Sequence, residues 1–201
     1  MNAGRARRGE LISCFLLEDG DSLNSINYNE MVARQLSKNG GGVSINLSKI
    51  RARGESIKDI KGVAKGVIPV AKSLEGSFAY ADQLGQRPGA GAVYVNIFHY
   101  DVLEILDSKK VNADEDIRLS TISTGLIVPD KFFELAKDNK QFYMFGPHSV
   151  YQEYGTELDD MNISEMYDEL VGNPNIYKKS MNAREMLNTI AQTQLQSGYP
   201  Y

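Results

Sequence analysis

The sequence has one cysteine, Cys14, and two histidines, His99 and His148. A single thiol excludes an internal disulfide, and a chain built without disulfides is expected in a reducing, cytoplasmic compartment. Neither histidine has a second histidine or a cysteine at metal-ligand spacing, so no metal site is expected. Long apolar runs are also lacking. Nothing approaches the ~20 residues that cross a bilayer, and Leu11-Ile12-Ser13-Cys14-Phe15-Leu16-Leu17 has only the length of a strand. Arg5, Arg7 and Arg8 are not followed by an apolar stretch with a small-residue cleavage site, so no secretory signal is read. Excess positive charge is absent too. A net charge of −4 and a pI near 5.3 argue against bulk binding to nucleic acid or anionic membrane, while leaving room for a local basic pocket for a nucleotide.

What is present suits a folded domain. The 201 residues are 42% hydrophobic and 24% charged, enough to bury one substantial core. Residues 10–18 read as a buried strand, continuously apolar and bounded by charge. Asp19-Gly20-Asp21-Ser22 is a turn able to cap a helix over 25–38, which Asn39-Gly40-Gly41-Gly42 stops. Strands follow at 43–47, 92–97, 120–128 and 141–145. Helices are expected after Pro69, with Val70, Leu74, Phe78 and Ala81 in one stripe, and at 101–110, 130–138, 164–171 and 182–196. Asp130 is the expected cap of the helix at 130–138. Residues 50–66 and 83–91 read as loops. Strands alternating with helices indicate an α/β fold with parallel pairing. The chain begins almost in a strand and stops after a helix at Tyr199-Pro200-Tyr201, which suggests a piece of something larger.

Several clusters are ambiguous on chemistry alone. Arg87-Pro88-Gly89-Ala90-Gly91 follows a helix and precedes a strand, the reverse of a dinucleotide-binding loop. An ordinary connection is the simpler reading of that spacing, with close backbone approach to a ligand as the alternative. Gly40-Gly41-Gly42 has the same two readings. Cys14, among large apolar residues, reads as a buried inert thiol, since a redox role needs a second one. Asp114–Arg118 and Asp159-Asp160 read as solvated charge. Asp21 with Arg51, Arg53 and Lys58 offers a carboxylate for hydroxyls and cations for phosphates, or simply surface salt bridges.

Longer strings carry the reading further. Asn2-Ala-Gly-Arg5-Ala-Arg-Arg8-Gly-Glu10 with Ser13-Cys14-Phe-Leu-Leu17, then Gln35-Leu-Ser37-Lys-Asn-Gly40-Gly-Gly42-Val, Gly66-Val-Ile-Pro69-Val and Tyr80-Ala-Asp-Gln83-Leu-Gly-Gln-Arg87 resemble, in order, the large subunit of class I ribonucleotide reductases. So do Gly89-Ala-Gly-Ala-Val-Tyr94-Val-Asn96-Ile-Phe98-His99, Asn112-Ala-Asp-Glu115, Val128-Pro-Asp-Lys131, Tyr167-Asp-Glu-Leu170, Asn182-Ala-Arg184 and Ser197-Gly-Tyr-Pro-Tyr201. The resemblance covers essentially the whole chain and is strongest to the class Ib branch.

The resemblance implies a ten-stranded α/β barrel of two parallel five-stranded halves. Residues 1–201 would then be a single incomplete domain, its N-terminal half. Cys14 matches the family's first-strand cysteine, which supplies one of two reducing equivalents to the ribose 2′ position. Ser13 and Gly42 match substrate-contacting positions. Asp21 and Ser22, with Arg51 and Lys58, match the site for an allosteric deoxynucleotide or ATP. The loop from Arg87 to Gly91 matches the relay between that site and substrate, although Pro88 replaces the usual glutamine, fixing φ and removing a donor. The stretches 25–38 and 69–83 match helices that pack across an alpha homodimer. The radical cysteine and the second redox cysteine would lie past Tyr201, so the remainder of the alpha subunit is an expected partner. A metal-containing beta subunit supplying the radical and a thioredoxin- or glutaredoxin-like reductant complete the implied assembly, with no cofactor resident in this chain.

Three outcomes follow from the resemblance. The chain is a part of the reductase, inactive alone; or a non-catalytic nucleotide-binding or dimerising remnant; or a fragment whose open core and strand edges favour aggregation.

Overall fold

The computed structural model describes residues 12–81 and 89–201. Strands β1 (Cys14–Glu18), β2 (Gly42–Asn46), β3 (Gly91–Asn96) and β4 (Ser123–Ile127) form one parallel sheet in chain order. Helices α1 (Leu23–Lys38), α2 (Val67–Tyr80) and α3 (Val102–Asp107) connect them. The register places Cys14 beside Gly42, Ser44 beside Ala92 and Tyr94 beside Gly125. Because side chains alternate along a strand, Val43, Ile45, Val93 and Val95 all point to the helix side. There they are buried with Ala33, Val67, Ala71, Leu74 and Phe78. Cys14, Leu16, Ser44, Ala92, Tyr94 and Ser123 share the other face through the same register. The sequence reading of β1 as buried on both sides needs correcting, because Leu16 on that second face is 84% exposed.

The remaining elements are α4 (Asp130–Lys137), β5 (Gln141–Phe145), α5 (Pro147–Tyr154), α6 (Ile163–Gly172), β6 (Lys178–Asn182) and α7 (Ala183–Ser197). They enclose a second apolar core of Phe98, Phe132, Phe142, Phe145, Tyr167 and Met186. The α/β class and the parallel sheet agree with expectation, and the arrangement fits part of a barrel. The expected fifth parallel strand is different. β5 pairs antiparallel with β6 and touches the first unit through a parallel bridge from Phe145 to His99. The parallel position beside β4 is taken by Tyr201, whose N–H donates to Thr124 O (2.9 Å) and whose carbonyl accepts from Leu126 N (3.0 Å).

Local chemistry explains the boundaries. Ser22 caps α1, its hydroxyl accepting from Ser25 N at 3.1 Å, and Asn182 caps α7 through Arg184 N and Glu185 N, as expected of such residues. Asp130 is not the cap of α4; Pro129 precedes the helix and Asp130 lies in its first turn, where a carboxylate still complements the dipole. α5 and β6 were not legible as elements: β6 (Lys-Lys-Ser-Met-Asn) lacks an apolar run.

Candidate functional site

Two groups of residues occupy opposite ends of the parallel sheet. They are separated by at least the run of a five-residue strand, roughly 16 Å.

At the N-terminal end, Cys14 opens β1 and its side chain is exposed. The expectation of a buried thiol is therefore corrected: the strand's alternation turns Cys14 toward the uncovered face, with Phe15 turned to the core. Ser13 Oγ lies 3.7 Å from Cys14 Sγ. Gly42 stands directly across the ladder, and its N–H donates to Ser13 O at 2.7 Å. The structure thus brings Ser13, Cys14 and Gly42 together. The three glycines leading into β2 at Gly42 divide their roles. Gly40 takes a φ of +93° to leave α1, which only glycine adopts easily. A Cβ on Gly41 would lie 2.5 Å from the Phe15 ring. Gly42 has room, its nearest neighbour being Ser13 O at 3.6 Å. Gly89 and Gly91 pack just as closely on the end of α2, where a Cβ would meet Phe78. Arg87 and Pro88 lie outside the described residues.

At the C-terminal end, Asp21 and Ser22 follow β1 and Arg51 follows β2. Arg51 N donates to Asp21 Oδ1 at 3.0 Å, and its guanidinium reaches Oδ2 through Nε and Nη2, each at 2.8 Å. A third arm donates to Ser56 O. This fork geometry fixes the Asp21 turn against the long loop at 50–66. The pair separates two concavities. One, of about 280 Å³, is lined by Asp21, Ser22, Lys49, Arg51, His148 and Glu157. The other, of about 320 Å³, is more apolar, with Leu23, Ile26, Ile50, Ile57 and Val70 beside Asp21 and Arg51. A polar cavity with cations adjoining an apolar one suits a ligand with a charged end and a flat apolar end. Lys58 is not among the residues lining either cavity. It stands exposed in the turn closed by Ile57 and Ile60, with φ +48°. Arg53 points elsewhere, paired with Glu104 at 2.8 Å.

Several residues here escaped the sequence reading. Lys49 binds Glu18 (3.0 Å) and Asp160 (2.9 Å). Burial pulls its ammonium down, but those two carboxylates outweigh it and hold the pKa above the usual lysine range. Burial raises Glu157 above the usual carboxylate range, with Lys49 opposing. Asp159 is not merely solvated charge. It accepts from the side-chain amides of Asn46 and Asn96, both at 2.7 Å, and so lashes the turn Leu158–Asp160 across the ends of β2 and β3. Its acidic-pair signature was visible, but its partners lie more than 60 residues away. His99 is fully buried, with Nε2 2.8 Å from Ile50 O and Nδ1 accepting from Asp101 N. Both ring nitrogens are therefore engaged in holding the fold.

A four-stranded parallel sheet with helices packed on one face fits part of an α/β barrel. The chain belongs to the family described as "Ribonucleotide reductase, barrel domain", which it matches over residues 12–201. It is 57% identical over its whole length to the ribonucleoside-diphosphate reductase NrdEB subunit alpha of Bacillus subtilis, covering 18% of that protein. Identity is 55% to a second Bacillus subtilis ribonucleoside-diphosphate reductase subunit alpha and 49% to that of Mycoplasma pneumoniae, with 29% and 28% of those chains covered. The chain therefore spans between about a fifth and under a third of the length of these relatives.

Proposed function

We propose that this chain is the part of a ribonucleoside-diphosphate reductase alpha subunit that carries one redox thiol and the allosteric effector site, serving deoxyribonucleotide synthesis. The carrying observation is the exposed Cys14, with Ser13 beside it and Gly42 across the ladder, on the face that a closed barrel turns inward. A thiol aimed into a barrel is placed to give up an electron pair jointly with a second thiol. This chain has one cysteine, so the partner is supplied from elsewhere in the alpha subunit. Ser13 and Gly42 border the same space and are assigned to substrate. A radical-generating beta subunit with its own metal, and a dithiol reductant of the thioredoxin or glutaredoxin kind, act on the assembled enzyme in the cytoplasm.

The effector reading rests on Asp21, Ser22 and Arg51. The carboxylate suits ribose hydroxyls and the guanidinium, with Lys49, suits phosphates. The apolar neighbour cavity suits a base. Lys58 joins only if its exposed turn folds over the bound phosphates. A dimer contact is assigned to α1, whose Leu23, Tyr28 and Met31 are exposed while Glu30 ties α1 to Ser73 and Ser77 of α2.

Calorimetric titration of the chain with each deoxynucleoside triphosphate and ATP tests the effector site. Binding of at least one is expected, weakened tenfold or more by Arg51→Ala; absence of heat with all of them overturns this reading. Supplied with radical subunit and dithiol, the chain alone is expected to reduce no ribonucleoside diphosphate. In an alpha subunit containing this segment, Cys14→Ser is expected to abolish turnover driven by the external dithiol.

A further inference from the structure

Away from both groups, a cavity of about 300 Å³ lies where the end of α3, the segment entering β4 and the end of α7 meet. Lys109, Lys110, Arg118, Ser108, Ser197 and Tyr199 contribute to its wall, and no carboxylate of the described residues does. Three cations in one small cavity stand out in a chain of net charge −4.

Two of the cations have no ion-pair partner among the described residues. Lys109 is only 8% exposed, yet its ammonium donates to a neutral oxygen, Leu119 O at 2.7 Å, and lies 4.5 Å above the Tyr199 ring. The Glu75 carboxylate, whose charge reaches Lys109, is committed to Thr121 N, Thr121 Oγ1 and Ile122 N. Among the described residues, Arg118 also donates only to carbonyls, Ala113 O at 2.6 Å and Val111 O at 3.4 Å, and its buried Nε has no hydrogen-bond partner. Lys110 is the exception, paired with Asp107 at 2.5 Å. Burying cations without an anion costs free energy, and an unsatisfied guanidinium N–H adds to that cost. Burial lowers the Lys109 pKa, with Tyr199 and Glu75 only partly opposing. An oxyanion in the cavity supplies the counter-charge that both side chains lack.

We propose that this cavity is a binding site for a phosphate group, held between the Lys109 ammonium and the Arg118 guanidinium. Lys109 keeps spare donors after bonding Leu119 O, since an ammonium has three. Arg118 supplies the second cation through its guanidinium, and Lys110, paired with Asp107, belongs to the same lining. Nothing in the effector reading uses these residues, so the two sites stand or fall separately.

The test is a titration at low ionic strength, followed by ¹⁵N NMR of the arginine Nε–H and lysine signals. The probes are inorganic phosphate, a deoxynucleoside monophosphate and the unphosphorylated deoxynucleoside. Inorganic phosphate is expected to shift Arg118 Nε–H and Lys109 saturably, and the nucleoside to shift neither. A tighter monophosphate assigns the phosphate to a nucleotide, and equal affinity assigns it to the free ion. Lys109→Met and Arg118→Gln are each expected to weaken binding tenfold or more, with Arg51→Ala leaving it unchanged. Absence of saturable shifts with phosphate, shifts confined to Arg51 and Lys49, or equal binding of the bare nucleoside overturns the proposal. The wild-type shift map decides even where a variant fails to fold.

Discussion

Asp19 follows β1 inside the protein, with no exposed surface, one carboxylate oxygen bonded to Asn29 Nδ2 at 2.7 Å and the other without a hydrogen-bond partner among the described residues. Burial is the larger influence and raises its pKa from 3.8 to about 6; the Asn29 bond opposes it and Glu30 adds to it. The sign of the linkage follows. Folding makes this carboxyl hold its proton more tightly, so its favourable contribution is complete below pH 4 and is lost as pH climbs through 6. Asp19→Asn is expected to raise the Tm at pH 7.5 by a few degrees and to leave it nearly unchanged at pH 4, as read by thermal melts across pH. Cys14 teaches a related lesson at the same scale. Composition favoured an inert buried thiol, because the run 11–17 reads as apolar throughout. A strand has two faces, and only the packing of α1 and α2 on one of them decides which residues are covered.

At the scale of elements, α5 shows why some structure was hidden. Its N-terminus carries Pro147, a residue suited to a first turn, but no local side chain caps it. The cap comes from Glu55 in the long loop at 50–66. Its buried carboxylate accepts from Ser149 N (2.8 Å), His148 N (3.3 Å) and its own loop's Ala52 N (2.7 Å). One carboxylate thus satisfies helix N–H groups and complements the helix dipole. Glu55→Ala is expected to cost about 2–4 kcal/mol, since buried donors are left without acceptors, with Glu55→Gln costing less. Urea melts would give the magnitude, and loss of amide-exchange protection over 147–154 would place it. Asp101 plays the matching part for α2, accepting from Val67 N and Arg53 N. Both devices join residues far apart in the chain, which is why 50–66 read as a plain loop. The loop conformation was read correctly, but its capping role was not legible.

At the scale of the whole molecule, the described residues form two cores, one under the parallel sheet and one around the antiparallel β5–β6 pair. Phe142 is central to the second, its ring 5.2 Å from Phe98 and 5.1 Å from Phe132 in tilted and edge-on contacts. Phe142→Ala is expected to destabilise the chain by about 3–5 kcal/mol, from lost burial plus the cavity left behind, and Phe142→Leu by clearly less. Urea denaturation monitored by circular dichroism measures both. A polydisperse, uncooperative wild-type chain would instead favour the aggregation-prone outcome.

Much of the fold was legible because its signals are local. Apolar strand runs, the Ser22 cap, the glycine stop after α1 and the stripe on α2 each act within a few residues. Those signals defined an α/β chain with a parallel sheet, and the extended strings placed it in its family. Tertiary structure decided the rest. It exposed Cys14, joined Asp21 to Arg51 while leaving Lys58 and Arg53 apart, turned Asp159 into a strap across β2 and β3, and paired β5 with the polar β6. Each outcome depends on which face is covered or which distant polar partner arrives. Burial and hydrogen-bond satisfaction are properties of the assembled fold, and no window of sequence contains them.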